Sequence, residues 1–247
     1  MNRKRLVAEI VRWFFIMLVA VFLIWSFQNG YLDLLYNEAD EFFVLLRQHA
    51  ALVALSSFLA VLIAIPVGIL VTRPRFRRVQ WLFMGLANIG QTVPNLAMLA
   101  LAMGFLGTGF KPAVFALFLY SILPILRNTV AGIDSINSDL IDAAEGMGFK
   151  QHQILWRIEL PNAAYSILAG VRTSLVINVG TAALAFLIGG GGLGTWVYTG
   201  ISLFDNAYLI SGALPITLFA LAMDFLLRGI ERILIPKPLR VTASEAA

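Results

Sequence analysis

Thirty-two consecutive residues, 79–110, carry no charged side chain, and residues 13–32 form a second run of the same kind. About 20 apolar residues in a helix cross the hydrocarbon core of a bilayer. Only 13% of the chain is charged, against about 25% in an ordinary soluble domain. The chain is therefore predicted to be an all-α, polytopic membrane protein. With most of its 247 residues committed to spans, it leaves no room for a nucleotide-binding domain or a sizeable soluble receptor. The absence of Cys excludes disulfides, zinc–thiolate sites and thiol nucleophiles. The net charge of +4 lies at membrane edges rather than in one patch, which argues against nucleic acid as a partner.

Six spans are expected: Trp13–Leu32, Ala50–Thr72, Val79–Phe110, Lys111–Gly132, Asn162–Ile188 and Ala207–Ile235. The first comes after a basic start, the pattern of a cleavable signal as well as of an anchor. No small-x-small cleavage site precedes Gln28–Asn29–Gly30, which favours a retained anchor. Asp33–His49 reads as an outer loop with an interfacial helix around Phe42–Leu46, and Thr195–Asn206 as a second outer stretch. Alternating the turns between the two sides puts sixteen of the 18 Lys and Arg on one side and leaves Arg47 and Lys111 on the other. Positive charge marks the cytoplasmic side, so both termini are expected there.

Several features interrupt the apolar pattern. Pro94 breaks the third span, and Gln91, Thr92 and Asn95 beside it are costly facing lipid. With Asn178 in the fifth span they are candidates to line a translocation path, the alternative being hydrogen bonds between helices. Arg172 lies inside the fifth span, while Asp224 and Arg228 sit at i, i+4 in the sixth. Those three form a candidate intramembrane ion pair, with snorkelling of Arg172 to the interface as the plainer reading. Gly189–Gly194 reads GGGGLG but lacks the Lys-Ser/Thr and preceding strand of a phosphate loop, so it is read as a flexible outer turn that permits close packing.

The longest charge-dense interior run is Asp142–Pro161. It is predicted to form a short helix, a break and a second short helix. Asn137, Ser138 or Asp139 caps the first, and Gly148 ends it in the left-handed conformation. Leu140, Ala144 and Met147 give one apolar face, and Ile154 and Ile158 give the second helix its stripe. Pro161 either stops that helix or starts the next. Such a pair suits either a solvated connector or a partner's groove.

Asp142, Ala143, Ala144, Gly148, Ile158, Leu160 and Pro161 fit the pattern E-A-A-x3-G-x9-I-x-L-P, with Asp in place of the first Glu. The stretch resembles the cytoplasmic loop of bacterial ABC importer permeases. The resemblance implies that these residues couple to the groove of a separate ATPase subunit. It also implies a type I importer permease core over about residues 50–235 with the coupling loop at 134–161, preceded by an anchor helix and outer loop (1–49) and followed by a cytoplasmic tail (236–247). Gly90–Ala102, Leu123–Ile133 and Leu168–Gly194 resemble the branch that takes up glycine betaine, choline and carnitine, although amino-acid permeases share parts of them. The resemblance further implies a multi-pass protein of the bacterial inner membrane that is not itself an enzyme. Its implied partners are an ATP-binding subunit, a second permease subunit of the same or a different kind, an extracytoplasmic substrate-binding protein and membrane lipid. ATP and Mg belong to the ATPase, with no cofactor in this chain. Alternatives are a permease of the same class for an amino acid or another small solute, and a self-contained secondary carrier. A carrier needs ionisable groups deep in several spans, and only Arg172 and Asp224 qualify.

Overall fold

The computed structural model describes residues 3–235; the predicted tail 236–247 lies outside them. All regular structure among the described residues is helical. The order is α1 (Arg3–Gln28), α2 (Leu34–Asn37), α3 (Ala39–Thr72), α4 (Gln80–Thr92), α5 (Asn95–Leu106), α6 (Phe110–Asp134), α7 (Ser138–Gly146), α8 (Gln151–Ile154), α9 (Leu160–Ala182), α10 (Gly194–Leu203) and α11 (Asn206–Leu234). Among the described residues, five helical stretches are long and apolar enough to cross a membrane, and α4 with α5 makes a sixth if the bent pair counts as one span.

The bend is 100° and its cause is local. A residue before proline is pushed out of the helical region. Val93 accordingly adopts φ −71°, ψ 124°, and α4 stops one residue before it. Gln80 at the start of α4 lies beside Asp134, and Gln91 near its end lies beside Tyr120 in the middle of α6. Helix α4 therefore runs antiparallel to α6, and α5, turned away at the bend, packs against the first turns of α6.

The centre of the fold is α3, α6 and α9. Lipid supplies no hydrophobic drive between helices, so small residues and polar contacts hold them. Gly170 on α9 lies so close to α6 that an added Cβ would sit 2.6 Å from Asn128 Cβ and 2.8 Å from the Pro124 carbonyl oxygen. Ser166 donates its hydroxyl to Asn128 O at 2.9 Å, and Ser174 donates to Ser121 O at 2.8 Å. Gly170→Val is expected to force α6 and α9 apart and to destabilise the folded protein by about 3 kcal/mol, the upper part of the range for overpacking. A thermal unfolding measurement in detergent checks this, and an unchanged midpoint would refute the close packing.

Two expectations are corrected, and one outer stretch is given its structure. The interfacial helix around Phe42–Leu46 is not separate, because α3 begins at Ala39 and continues without a break. Asp40 and Glu41 in its first turn favour the start, and Leu45 is buried in the main core. The outer stretch Thr195–Asn206 is largely α10, packed on α11. Trp196 is buried there between Phe42 and Tyr208. The second short helix of the charged run is not separate either: Gln151–Ile188 is one continuous helical path. Proline lacks the N–H that an α-turn needs, and Leu155–Glu159 forms a widened π-turn just before Pro161.

The glycine turn is packed rather than free. Gly191 and Gly192 take φ 75° and 93°, and the Gly192 N–H donates to Gln48 Oε1 at 3.0 Å. Against this core, α1 touches the rest of the chain lightly. Ser211 on α11 donates to Tyr31 O at 2.8 Å just after α1, and most of the large apolar side chains of α1 are exposed.

Candidate functional site

The segment between α6 and α9 is built by its caps. Asn137 Oδ1 accepts from the Asp139 N–H at 2.9 Å and starts α7. At the other end Gly148 takes φ 82°. The Gly148 N–H donates to Glu145 O at 2.9 Å, and the Phe149 N–H donates to Ala144 O at 3.1 Å. These two bonds are the Schellman closure expected for glycine at that position. The chain then reverses into α8, where the Lys150 N–H donates to Gln153 Oε1 at 2.8 Å. Gln151 Nε2 also donates to Glu145 Oε1 at 2.8 Å and ties α8 back to α7.

The apolar face of α7 is divided. Ala144 is fully buried, whereas Leu140 and Met147 are exposed, Met147 at 69%. Asp142 and Ala143 are both exposed. Ile154 is buried, and Trp156 two residues later is 69% exposed. Ile158 and Leu160 are half-buried, with Leu160 packed against Ile133, Ala163 and Ile167. Asn162 Nδ2 donates to Ile158 O at 2.7 Å, which satisfies a carbonyl loosened by the π-turn. The segment thus has one anchored side and one open side carrying apolar groups at the end of a charged loop.

The break in the third span keeps its polar residues together. Gln91 Nε2 reaches Tyr120 O at 3.4 Å, and the Tyr120 hydroxyl lies 3.5 Å from Gln91 O. Thr92 donates to Ile89 O at 2.8 Å, and Pro94 is exposed. Asn95 borders a small cavity with Tyr120 and Thr181, and its Oδ1 is buried without a hydrogen bond. Asn178 differs from this group. It is buried, and its Nδ2 donates to Ser56 Oγ at 2.7 Å and Ser57 Oγ at 2.8 Å. In this chain it joins α9 to α3, which is the alternative of bonding between helices.

Arg172, Asp224 and Arg228 do come together. Arg172 Nε lies 3.6 Å from Asp224 Oδ1, and Arg228 Nε donates to Asp224 Oδ2 at 2.7 Å. The shortest contact of Arg172 is nevertheless to Glu231, at 2.9 Å. Sequence reasoning misses Glu231 as a partner, although Asp224, Arg228 and Glu231 fall at i, i+4, i+7 on one helical face. Two further contacts flank the coupling segment. Arg73 Nη1 meets Glu159 Oε2 at 2.7 Å, and Gln80 Nε2 donates to Asp134 Oδ2 at 3.0 Å.

Residues 64–240 match the family described as binding-protein-dependent transport system inner membrane component. The chain is 44% identical over 221 residues to the osmoprotectant import permease protein OsmY of Salmonella typhimurium, covering 90% of this chain and 92% of that one. It is 40% identical over 202 residues to the choline transport system permease protein OpuBB of Bacillus subtilis, covering 82% and 92%. Among solved structures it resembles a chain of the MetNI methionine ABC transporter in an inward-facing conformation, with TM-score 0.74, 22% identity, and 81% and 99% of the two chains covered. That likeness concerns the fold alone.

Proposed function

This chain belongs to the binding-protein-dependent transport system inner membrane component family, and we propose that it is the permease of an ATP-driven importer for osmoprotectants such as choline, glycine betaine or carnitine. It is a multi-pass protein of the bacterial inner membrane and a transport subunit rather than an enzyme. Its family works with an ATP-binding subunit and a substrate-binding protein. The substrate class rests on one observation: the relatives at 40% and 44% identity, matched over 92% of their own length, carry choline and osmoprotectant names.

The mechanism derives from the two sites. The exposed side of the 138–154 segment, with Leu140 and Met147, is the surface offered to the ATP-binding subunit on the cytoplasmic side. Asp142, Ala143, Ala144, Gly148, Ile158, Leu160 and Pro161 form and aim it. ATP and Mg are held by that partner, whose movement biases the permease between its two states. A second permease subunit, identical or related, completes the path. Gln91, Thr92, Pro94 and Asn95 line it where the third span breaks, because irregular backbone at membrane depth needs a wet or protein-lined surround. The extracytoplasmic binding protein delivers the solute from the opposite side.

The test is uptake of radiolabelled choline, glycine betaine and carnitine by proteoliposomes holding this chain with its ATP-binding and substrate-binding partners. Accumulation of at least one of the three only when ATP is present is the expected result. ATP-driven uptake of an amino acid but none of these would move the chain to another branch of the class. Uptake by this chain alone, driven by an ion gradient, would overturn the importer reading.

A further inference from the structure

The sequence assigns the turn between the second and third spans only a bulk role, as positive charge beside a membrane. The structure gives it specific partners. Arg73 caps the end of α3, and its guanidinium makes three contacts: Nε donates to Ile69 O at 3.2 Å, Nη2 to Thr72 Oγ1 at 3.2 Å, and Nη1 forms an ion pair with the Glu159 carboxylate at 2.7 Å. Glu159 is the last residue of the π-turn behind the coupling segment. Seven residues after Arg73, Gln80 starts α4 and donates to Asp134 at 3.0 Å. Asp134 is the last residue of α6, just ahead of the coupling segment. Arg77 adds a looser contact to Asp134 at 3.9 Å.

Both flanks of the coupling segment are thus tied to one short basic turn. That turn joins α3, in the core, to α4, which leads to the break at Val93–Pro94. The Arg77 contact is exposed and contributes little. The Arg73–Glu159 contact is different, because its side chains are only 21% and 12% exposed, and losing one charge leaves the other desolvated.

We propose that Arg73, Glu159, Gln80 and Asp134 form a relay that carries movement of the coupling segment to α3 and, through α4, to the polar break of the third span. This rests on the reading of residues 138–154 as the ATPase-coupling segment. Arg73 and Glu159 act as positioning residues: they touch neither ATP nor solute. A rigid helix links the contact at Gln80 to Gln91 and Thr92, so displacement at one end appears at the other.

The measurement is moles of solute taken up per mole of ATP hydrolysed, in the complete importer. Arg73→Gln and Glu159→Gln are each expected to lower this ratio about tenfold while the ATP-binding subunit still copurifies. The double variant is expected to be no worse than either single one, because the two residues act as a unit. A contact with a merely structural role would lower uptake and ATP hydrolysis together and leave the ratio unchanged. The chain has no Cys, so Arg73→Cys with Glu159→Cys offers a second route. The ratio should be low with free thiols, recover when a short bifunctional thiol reagent bridges the pair, and fall again on cleavage of the bridge. The relay is overturned if the single variants stay within about twofold of the wild type, if their effects multiply in the double variant, or if bridging restores nothing. It is equally overturned if neither the Gln nor the Cys variants accumulate, since the pair is then a folding contact. Failure of the wild-type chain to bind the ATP-binding subunit would instead overturn the coupling assignment beneath it.

Discussion

Gly148→Val is expected to cut ATP-driven uptake at least about tenfold while the chain still inserts in the membrane. Gly148 holds φ 82°, a region that disfavours an L side chain by about 1–2 kcal/mol and a β-branched one by more. Each 1.4 kcal/mol is a factor of ten in the population of the working conformation. No atom lies within 4 Å of the position a Cβ would take, so the effect comes from the backbone and not from a clash. To relieve the strain the turn must surrender the bonds from the Gly148 and Phe149 N–H groups to Glu145 and Ala144. The heading of α8 relative to α7 changes with them. Asn tolerates the left-handed region, so Gly148→Asn should lose less than about threefold. Uptake per folded molecule, measured for both variants beside the wild type, checks the pair. Equal uptake by Val and Asn would remove the cap from the mechanism.

Arg172→Ala is expected to destabilise the folded chain by about 3 kcal/mol, the lower end of the range for breaking a buried ion pair. The lower end applies because Arg172, Asp224 and Glu231 keep 25%, 20% and 12% of their side-chain surface exposed. The two carboxylates do not suffer equally. Asp224 retains Arg228 at 2.7 Å, whereas Glu231 loses its 2.9 Å contact. Neutralising Glu231 in the same molecule should therefore recover more stability than neutralising Asp224. Thermal unfolding of Arg172→Ala, of Arg172→Ala with Glu231→Gln, and of Arg172→Ala with Asp224→Asn gives the comparison. Snorkelling of Arg172 to the interface would instead predict little change in any of the three.

Much of this fold is legible in the sequence because the bilayer and the helix impose strong local rules. The spans come from runs of apolar residues, the break from Pro94, and the cap from Gly148 three residues after Glu145. The features that escape depend on contacts between distant segments. Helix α10 is too short to announce itself as a span, and Trp196 is buried by Phe42 and Tyr208 from other helices. Asn178 resembles a path residue in sequence because Ser56 and Ser57 are 122 and 121 positions away. Glu231 hides behind the nearer pairing of Asp224 with Arg228. Pro161 reads equally as a stop or a start, since the π-turn that accommodates it leaves no simple mark in composition.

That widened turn also preserves an angle. An α-helix rotates by about 100° per residue, and a π-turn holds one residue more than an α-turn. Removing one residue from Leu155–Glu159 would close it to an ordinary α-turn and leave α8 and α9 at nearly their present azimuths, whereas removing one from the regular helix after it would swing everything ahead of it round the axis by about 100°. Ile154, now sealed inside, would be carried off the core, and the open face of the coupling segment would point elsewhere. The azimuth at which the lever meets its drive therefore tolerates the loss of one residue inside this turn and is fixed by segment length in the regular helix beyond it.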